Sequence, residues 1–257
     1  MLLCVDIGNT NITMGLFRGG ELLTHWRLST DHHKMPDEYG MLLVGLLAHH
    51  GYDRDSIEGV ALASVVPPLT DVFREMTSLY LRLEPLVVDS GVKTGVAIRY
   101  DAPRDVGADR VVNAAAAYRV LGGPACIVDF GTGTTFDAIS AKGEYLGGAI
   151  APGVQVAAEA LFQRTAKLPR VDLRPPSRAI GRNTMDALRS GILFGYVGLV
   201  EGLVERFRRE LGPEMRVIAT GGLAPLIARE TGIFDIVDPW LTLKGLRIIY
   251  ELNEDAG

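Results

Sequence analysis

The same strand ending occurs twice in this chain, and that repetition restricts the fold more than any other feature. "CVDIGNTNIT" at residues 4–13 and "IVDFGTGTTF" at residues 127–136 each leave an apolar run through an aspartate, a glycine and small polar side chains. Aligning Asp6 with Asp129 sets Gly8 on Gly131 and Thr10 on Gly133. It also brings Glu21 onto Glu144, each preceded by glycine. Downstream, "NITMGLF", "RGG", "ELLTHWRL" and "TTFDAIS", "AKG", "EYLGGAI" both read as strand, glycine-containing turn, strand, which is a hairpin signal. The chain is therefore expected to hold two copies of one unit, and a repeat of this size governs the architecture.

After each copy the pattern changes to helices alternating with short apolar strands, the mark of an α/β chain. In the first half, Asp37 to Gly51 has helical apolar spacing, "VALAS" (60–64) is a buried strand stopped by Pro67-Pro68, and "PLVVD" (85–89) is another. In the second half, Thr184 to Leu211 carries a long amphipathic pattern, followed by the strand "RVIAT" (216–220) and Gly221-Gly222. A helix is expected from Leu223, a strand near "IFDIV" (233–237) and a last helix from Trp240 to Leu252. The alanine-rich stretch Asp109 to Leu121 reads as a helix passing between the halves, and "LPRVDLRPPSRAIGRNT" (168–184) is the one long loop. These elements predict an N-terminal domain over 1–116 and a C-terminal domain over 117–257, a length ordinary for two domains.

Charge and cysteine usage narrow the possible functions. The 26 basic and 31 acidic residues are well mixed, which argues against a nucleic-acid surface. No apolar stretch approaches the ~18 residues of a membrane span, and no basic, cleavable leader opens the chain, so a cytoplasmic protein with no membrane partner is expected. Cys4 and Cys126 sit inside apolar strands and are expected buried and reduced. The histidines have no Cys or carboxylate at metal-ligand spacing, so a transition-metal site is not expected.

The turns after Asp6 and Asp129 have the chemistry of a phosphate grip. Small residues let backbone N–H groups converge on oxygens. Asn9, Thr10 and Asn11 in one turn, and Thr132, Thr134 and Thr135 in the other, add side-chain donors. An aspartate at the strand end can hold a cation, directly or through water. One such turn is equally an ordinary Asx-type turn; two with matched hairpins favour a nucleotide clamp. Neither fits the GxxxxGK[ST] loop or the GxGxxG turn.

The duplicated turn and hairpin resemble the nucleotide-binding fold shared by actin, Hsp70 and sugar or acetate kinases. Within it, "DIGNTN" (6–11), "SVVPP" (64–68), "YDAPRDVGADR" (100–110), "DFGTGTT" (129–135), "GGAIAPG" (147–153) and "TGG" (220–222) resemble the type III pantothenate kinases, in order over almost the whole chain. Two positions depart from the family pattern: Ala102 stands where asparagine is usual, and Gly133 where alanine is usual. The resemblance implies an α/β fold of two duplicated actin-like (ribonuclease H-like) domains with a nucleotide cleft between them. It implies ATP-dependent phosphorylation of pantothenate to 4′-phosphopantothenate, the first step towards coenzyme A.

The resemblance also assigns residues. ATP would meet Asp6, Gly8, Asn9, Thr10 and Asn11, then Gly131, Thr132, Gly133 and Thr134, with Gly221 and Gly222 flat against adenosine. Asp6 would face Mg²⁺ through water, and Asp129 would hold a monovalent cation, K⁺ or NH₄⁺. Tyr100, Gly107, Ala108, Asp109, Arg110 and Thr184 would hold pantothenate, with Asp109 as general base. From spacing alone, Asp109 is also a helix N-cap, Arg110 a salt-bridge partner and Tyr100 a half-buried strand aromatic. At a helix N-terminus the Asp109 carboxylate is expected to stay ionised. Family members are homodimers, so a homodimer is implied. A different class remains open, a non-catalytic nucleotide-binding regulator on the same fold, for which a base such as Asp109 would have no use. A kinase for a sugar would need a larger acceptor domain and would leave the GADR stretch unexplained.

Overall fold

The computed structural model describes residues 1–165 and 167–254, and these fall into two compact units. The first comprises 1–96, 101–116 and 242–254, the second 97–100 and 117–241. In the first, β1 (Leu2–Ile7), β2 (Asn11–Arg18) and β3 (Glu21–Ser29) form an antiparallel meander. β4 (Gly59–Ser64) and then β5 (Leu86–Val87) add in parallel on the other side of β1, giving the order β3-β2-β1-β4-β5. β1 and β4 are apolar along their length because, as central parallel strands, they are covered on both faces; Leu3, Val5, Ile7, Val60 and Leu62 are all buried.

Two helices cover this sheet. α1 (Pro36–His49) opens with proline at its first position, where the missing N–H would have no helical partner, and Glu38 accepts the Met35 N–H at 2.8 Å. α2 (Pro67–Leu81) does the same with Pro67-Pro68, which thus opens a helix as well as stopping the preceding strand. Its Leu69, Phe73 and Met76 recur at helical spacing and pack with Tyr39 and Leu43 of α1 in one core.

The second unit repeats the plan. β7 (Ala125–Phe130), β8 (Gly133–Ile139) and β9 (Glu144–Pro152) form the meander, and β10 (Arg216–Thr220) and β11 (Ile236–Val237) extend it in parallel beyond β7. The order β9-β8-β7-β10-β11 is that of the first sheet, with β6 (Ala97–Ile98) added in parallel outside β9. α4 (Val154–Arg164), α5 (Thr184–Leu211) and the short α6 (Ala224–Ile227) accompany this sheet, and α5 places Ile192, Leu193, Tyr196, Val197, Val200 and Val204 in the core. The segment from 168 to 183 forms no helix or strand.

Three expectations differ from the structure. The last helix, α7 (Leu241–Glu254), falls with the first unit from Thr242 onward rather than in a domain over 117–257. Its buried face carries Leu243, Leu246 and Ile249, Tyr250 stacks on the bare Cα of Gly59, and Gly245 lies against the Val112 backbone of α3 (Ala108–Leu121). α3 itself is divided between the two units at 116/117. β6 and Tyr100, expected in the first domain, group with the second unit because β6 pairs with β9. Finally, one helix among the described residues, α5, is long and apolar enough to cross a membrane, although no such stretch was expected. Its apolar side chains fill the core of the second unit, and its buried Arg189 is ion-paired. Cys4 and Cys126 are buried and free, as expected.

Candidate active site

The first phosphate turn is held in shape by its own backbone. Asp6 ends β1 between Thr13 of β2 and Ala63 of β4. The Gly8 N–H bonds the Asn11 carbonyl at 3.0 Å, the Thr30 hydroxyl bonds the Gly8 carbonyl at 2.6 Å, and the Thr30 N–H bonds the Thr10 carbonyl at 3.0 Å. With the backbone so occupied, the side chains of Asn9, Thr10 and Asn11 are turned outward and exposed. A Cβ on Gly8 would stand 3.1 Å from the Asn11 carbonyl oxygen, tighter than most side chains accept.

The equivalent turn in the second unit is more enclosed. Asp129 ends β7 between Thr135 of β8 and Thr220 of β10. Gly131 and Thr132 are exposed, and the Gly153 N–H at the start of α4 bonds the Thr132 carbonyl at 3.1 Å. The Tyr196 hydroxyl fastens this junction by donating to the Pro152 carbonyl at 2.8 Å. Gly221 has φ +89, and a Cβ there would lie 2.6 Å from Asp129 Oδ1 and 2.7 Å from the Phe130 carbonyl, so only glycine fits. Gly222 is exposed beside it. Thr134 and Thr220 are fully buried, and neither hydroxyl has a hydrogen-bond partner. Thr134, expected among the phosphate donors, thus stands apart from exposed Thr132.

Among the described residues no three His, Cys, Asp or Glu side chains gather closely enough to cage a metal. The donor sets still fit the implied cations. A lone carboxylate among amides and hydroxyls suits Mg²⁺, which keeps several waters and takes one or two carboxylates plus phosphate. Beside Asp129, its own Oδ1 and the Phe130 carbonyl approach the same point at Gly221, and these are the oxygens a larger monovalent ion would draw on.

The third cluster lies at the start of α3. The Gly107 carbonyl accepts the Arg110 and Val111 N–H groups at 3.0 and 3.2 Å, so Gly107 opens the helix and Asp109 is inside its first turn. Asp109 is therefore not the N-cap. Its Oδ1 accepts the Arg110 N–H at 2.8 Å and folds over Gly107, where a Cβ would come within 2.5 Å of it. Burial raises the Asp109 pKa, outweighing the Arg110 N–H bond and the Arg110 charge that lower it. Desolvation therefore outweighs the helix end in setting the direction of the shift. Arg110 is nearly buried and Ala108 half-buried, and one turn along α3 the buried Asn113 accepts a hydrogen bond from Thr242 at 2.8 Å.

Tyr100 belongs to the second unit, and its ring rests on Gly147 (φ +114), whose added Cβ would meet it at 3.1 Å. The Tyr100 ring centroid is 6.3 Å from that of fully buried Tyr145, whose hydroxyl donates to Asp137 Oδ1 at 2.8 Å. Thr135 donates to the other Asp137 oxygen at 3.2 Å. Asp137 and Tyr145 are not among the residues expected at the site, although an aspartate inside the apolar strand "TTFDAI" is a visible signal. Thr184 is exposed at the first position of α5, capped by Asn183, whose Oδ1 accepts the Asp186 N–H at 2.9 Å.

Two sheets of one topology, each with an aspartate and a glycine-polar turn at the same strand end, define an actin-like, ribonuclease H-like nucleotide-binding protein. Solved structures with this fold include a Baf family transcriptional activator from Campylobacter jejuni (TM-score 0.62, 20% identity, covering 98% of this chain and 99% of that one). Another is a 2-dehydro-3-deoxygalactonokinase protein from Sinorhizobium meliloti (0.61, 12%, 98% and 96%). A third is the activator of 2-hydroxyisocaproyl-CoA dehydratase from Clostridium difficile, with bound ADPNP (0.52, 13%, 99% and 96%). The type III pantothenate kinase family profile matches residues 2–206. A type III pantothenate kinase of Moorella thermoacetica is 56% identical over 253 residues, 98% of this chain and all of that protein. The chain belongs to the type III pantothenate kinase family.

Proposed function

We propose that this protein transfers the γ-phosphoryl group of ATP to the hydroxyl of pantothenate, giving 4′-phosphopantothenate and ADP. The observation that carries this reading is Asp109, a half-buried carboxylate in the first turn of α3 whose Oδ1 is fixed by the Arg110 N–H at 2.8 Å and whose basicity burial raises. Asp109 accepts the hydroxyl proton as the substrate oxygen bonds to γ-phosphorus and the bond to the bridging oxygen of ADP breaks. In-line positioning and charge neutralisation supply the rest of the acceleration.

The Gly8–Asn11 turn and the Gly131–Thr132 turn bind phosphate oxygens through exposed donors, and Gly221 and Gly222 lie under adenosine. Asp6 would hold Mg²⁺ through water, supplying neutralisation of the phosphate charge, and Asp129 would hold K⁺ or NH₄⁺. The Thr134 hydroxyl, fully buried and without a hydrogen-bond partner, makes no direct phosphate contact. Tyr100, Gly107, Ala108, Arg110 and Thr184 orient pantothenate, the working unit is a homodimer, and its place is the cytoplasm. The test is an ADP-release assay with purified protein, ATP, Mg²⁺ and pantothenate, with and without K⁺. Turnover that requires both pantothenate and K⁺ is expected; ATP binding with no turnover in K⁺ would refute the kinase.

A further inference from the structure

The coil from 168 to 183 leads directly into Thr184, and its two ends converge on one side chain. Arg189 sits on the buried face of α5, in line with Ile192, Leu193 and Tyr196, and is only 9% exposed. Its Nε donates to Asp172 Oδ1 at 3.0 Å and its Nη2 to the same oxygen, while Nη1 pairs with Asp186 Oδ1 at 3.4 Å. Asp172 lies near the start of the coil and also pairs with Arg174 at 3.0 Å. Asp186 holds the end: its Oδ2 accepts from Asn183 Nδ2 at 2.8 Å, while its N–H donates to Asn183 Oδ1. Between the two, the Ser190 hydroxyl bonds the Ala179 carbonyl at 2.5 Å, and Gly181 approaches so closely that an added Cβ would lie 2.3 Å from the Ala187 nitrogen.

Stability alone does not account for this arrangement. A nearly buried guanidinium is costly to desolvate, and an apolar side chain of like size often serves a core as well or better. What the arginine provides is geometry. Its planar fork engages two carboxylates in fixed directions: Asp172 near the start of the coil, and Asp186 in the first turn of α5, which in turn holds Asn183 at the coil's end.

We infer that Arg189 is a positioning residue for acceptor binding: through Asp172 and through Asp186–Asn183 it fixes the 168–183 coil as a strap that sets Thr184 in place. This rests on the reading of Thr184 as a pantothenate contact. Arg189 does not itself touch substrate. Fixing the strap in advance removes an ordering cost that pantothenate would otherwise meet on binding, so the effect falls on acceptor affinity and leaves ATP affinity alone.

The strap carries its own reporter, because Arg170, Arg178 and Arg182 are exposed trypsin sites within it. The variants are Arg189→Met, which keeps the stem and removes the fork, and Asp172→Asn, a change at a largely exposed side chain that leaves the core alone. In each, cleavage between 170 and 182 should quicken by about tenfold or more, as local opening is freed from global unfolding. The KM for pantothenate should rise ~10-fold, with the KM for ATP within ~2-fold and kcat within ~3-fold, the split expected when binding rather than chemistry is affected. Unchanged cleavage in Asp172→Asn overturns the latch, and faster cleavage with an unchanged pantothenate KM overturns its role in acceptor binding. A wild-type chain with no pantothenate turnover refutes the functional reading instead, and the latch is then decided by cleavage alone.

Discussion

Replacing Gly221 by alanine tests whether the end of β10 must lie bare against β7. At φ +89 an L-residue is in the left-handed half of backbone space, which costs about 1–2 kcal/mol. The new methyl would also stand 2.6 Å from Asp129 Oδ1 and 2.7 Å from the Phe130 carbonyl carbon and oxygen. Asp129 could rotate aside, but Phe130 cannot: β7 is paired on both sides, with β8 and β10. Overpacking against fixed backbone adds about 1–3 kcal/mol, for a total of about 2–5 kcal/mol. For a chain of this size that lowers Tm by about 4–20 °C, measured on the ligand-free protein by circular dichroism. Displacement of the Asp129 carboxylate should also reduce kcat/KM for ATP, on the order of 10²-fold for a misplacement near 1 Å. The control is Gly45→Ala in α1, where an added Cβ meets nothing within 4 Å and helix propensity predicts a gain of ~1 kcal/mol. A Gly221→Ala variant with unchanged Tm and unchanged ATP kinetics would refute this account of the turn.

Asp109→Asn should lose about 10²–10⁴-fold in kcat, the usual effect of removing a general base, while its Tm holds or rises because a desolvated charge has gone. The raised Asp109 pKa shifts the acid limb of the wild-type kcat/KM profile upward from where an ordinary aspartate would put it. In the window between the unfolded and the raised folded pKa the native protein binds more protons, so Asp109's contribution to stability falls as pH rises through it; the asparagine variant should lack that slope. Gly147→Ala forces a methyl against the Tyr100 ring at φ +114, so the pantothenate KM should rise by about tenfold while the ATP KM holds, read by initial rates. Burial pushes both thiols upward, so Cys4 and Cys126 should resist a disulfide reagent in the native protein and react together once denaturant unfolds it.

The duplication was legible because each copy of the meander carries its own hairpin turn, and both α5 ends were marked by Asn183 and Gly212. The lost features depend on partners distant in sequence. The apolar stripe of α7 would suit many sheets; what assigns it to the first unit is the space left by Gly59 and Gly245, together with the Thr242–Asn113 hydrogen bond. α2 was missed because Pro67-Pro68 both ends a strand and opens a helix. At the site, spacing located Asp109 at a helix start but could not weigh its burial against its hydrogen bond. Tyr100 was likewise located, whereas the Tyr145 and Asp137 side chains beside it come together only when β8 and β9 pair.

The two aspartates that opened the problem differ in the company that pairing gives them. Both face a threonine across the antiparallel ladder, Thr13 for Asp6 and Thr135 for Asp129. Across the parallel ladder, however, Asp6 meets Ala63 where Asp129 meets Thr220, whose hydroxyl is buried with no hydrogen-bond partner. The first turn displays Asn9, Thr10 and Asn11 to solvent; the second displays Gly131 and Thr132 but is bounded on its inner side by the backbone at Gly153 and Gly221. A small divalent ion that dehydrates reluctantly suits the open end, where one carboxylate can act through water. A larger, weakly hydrated monovalent ion suits the closed end, where protein oxygens can replace its waters. Duplication thus supplies the same carboxylate at two strand ends with different neighbours beside each, and under the proposed function those neighbours are where the two cation roles would diverge.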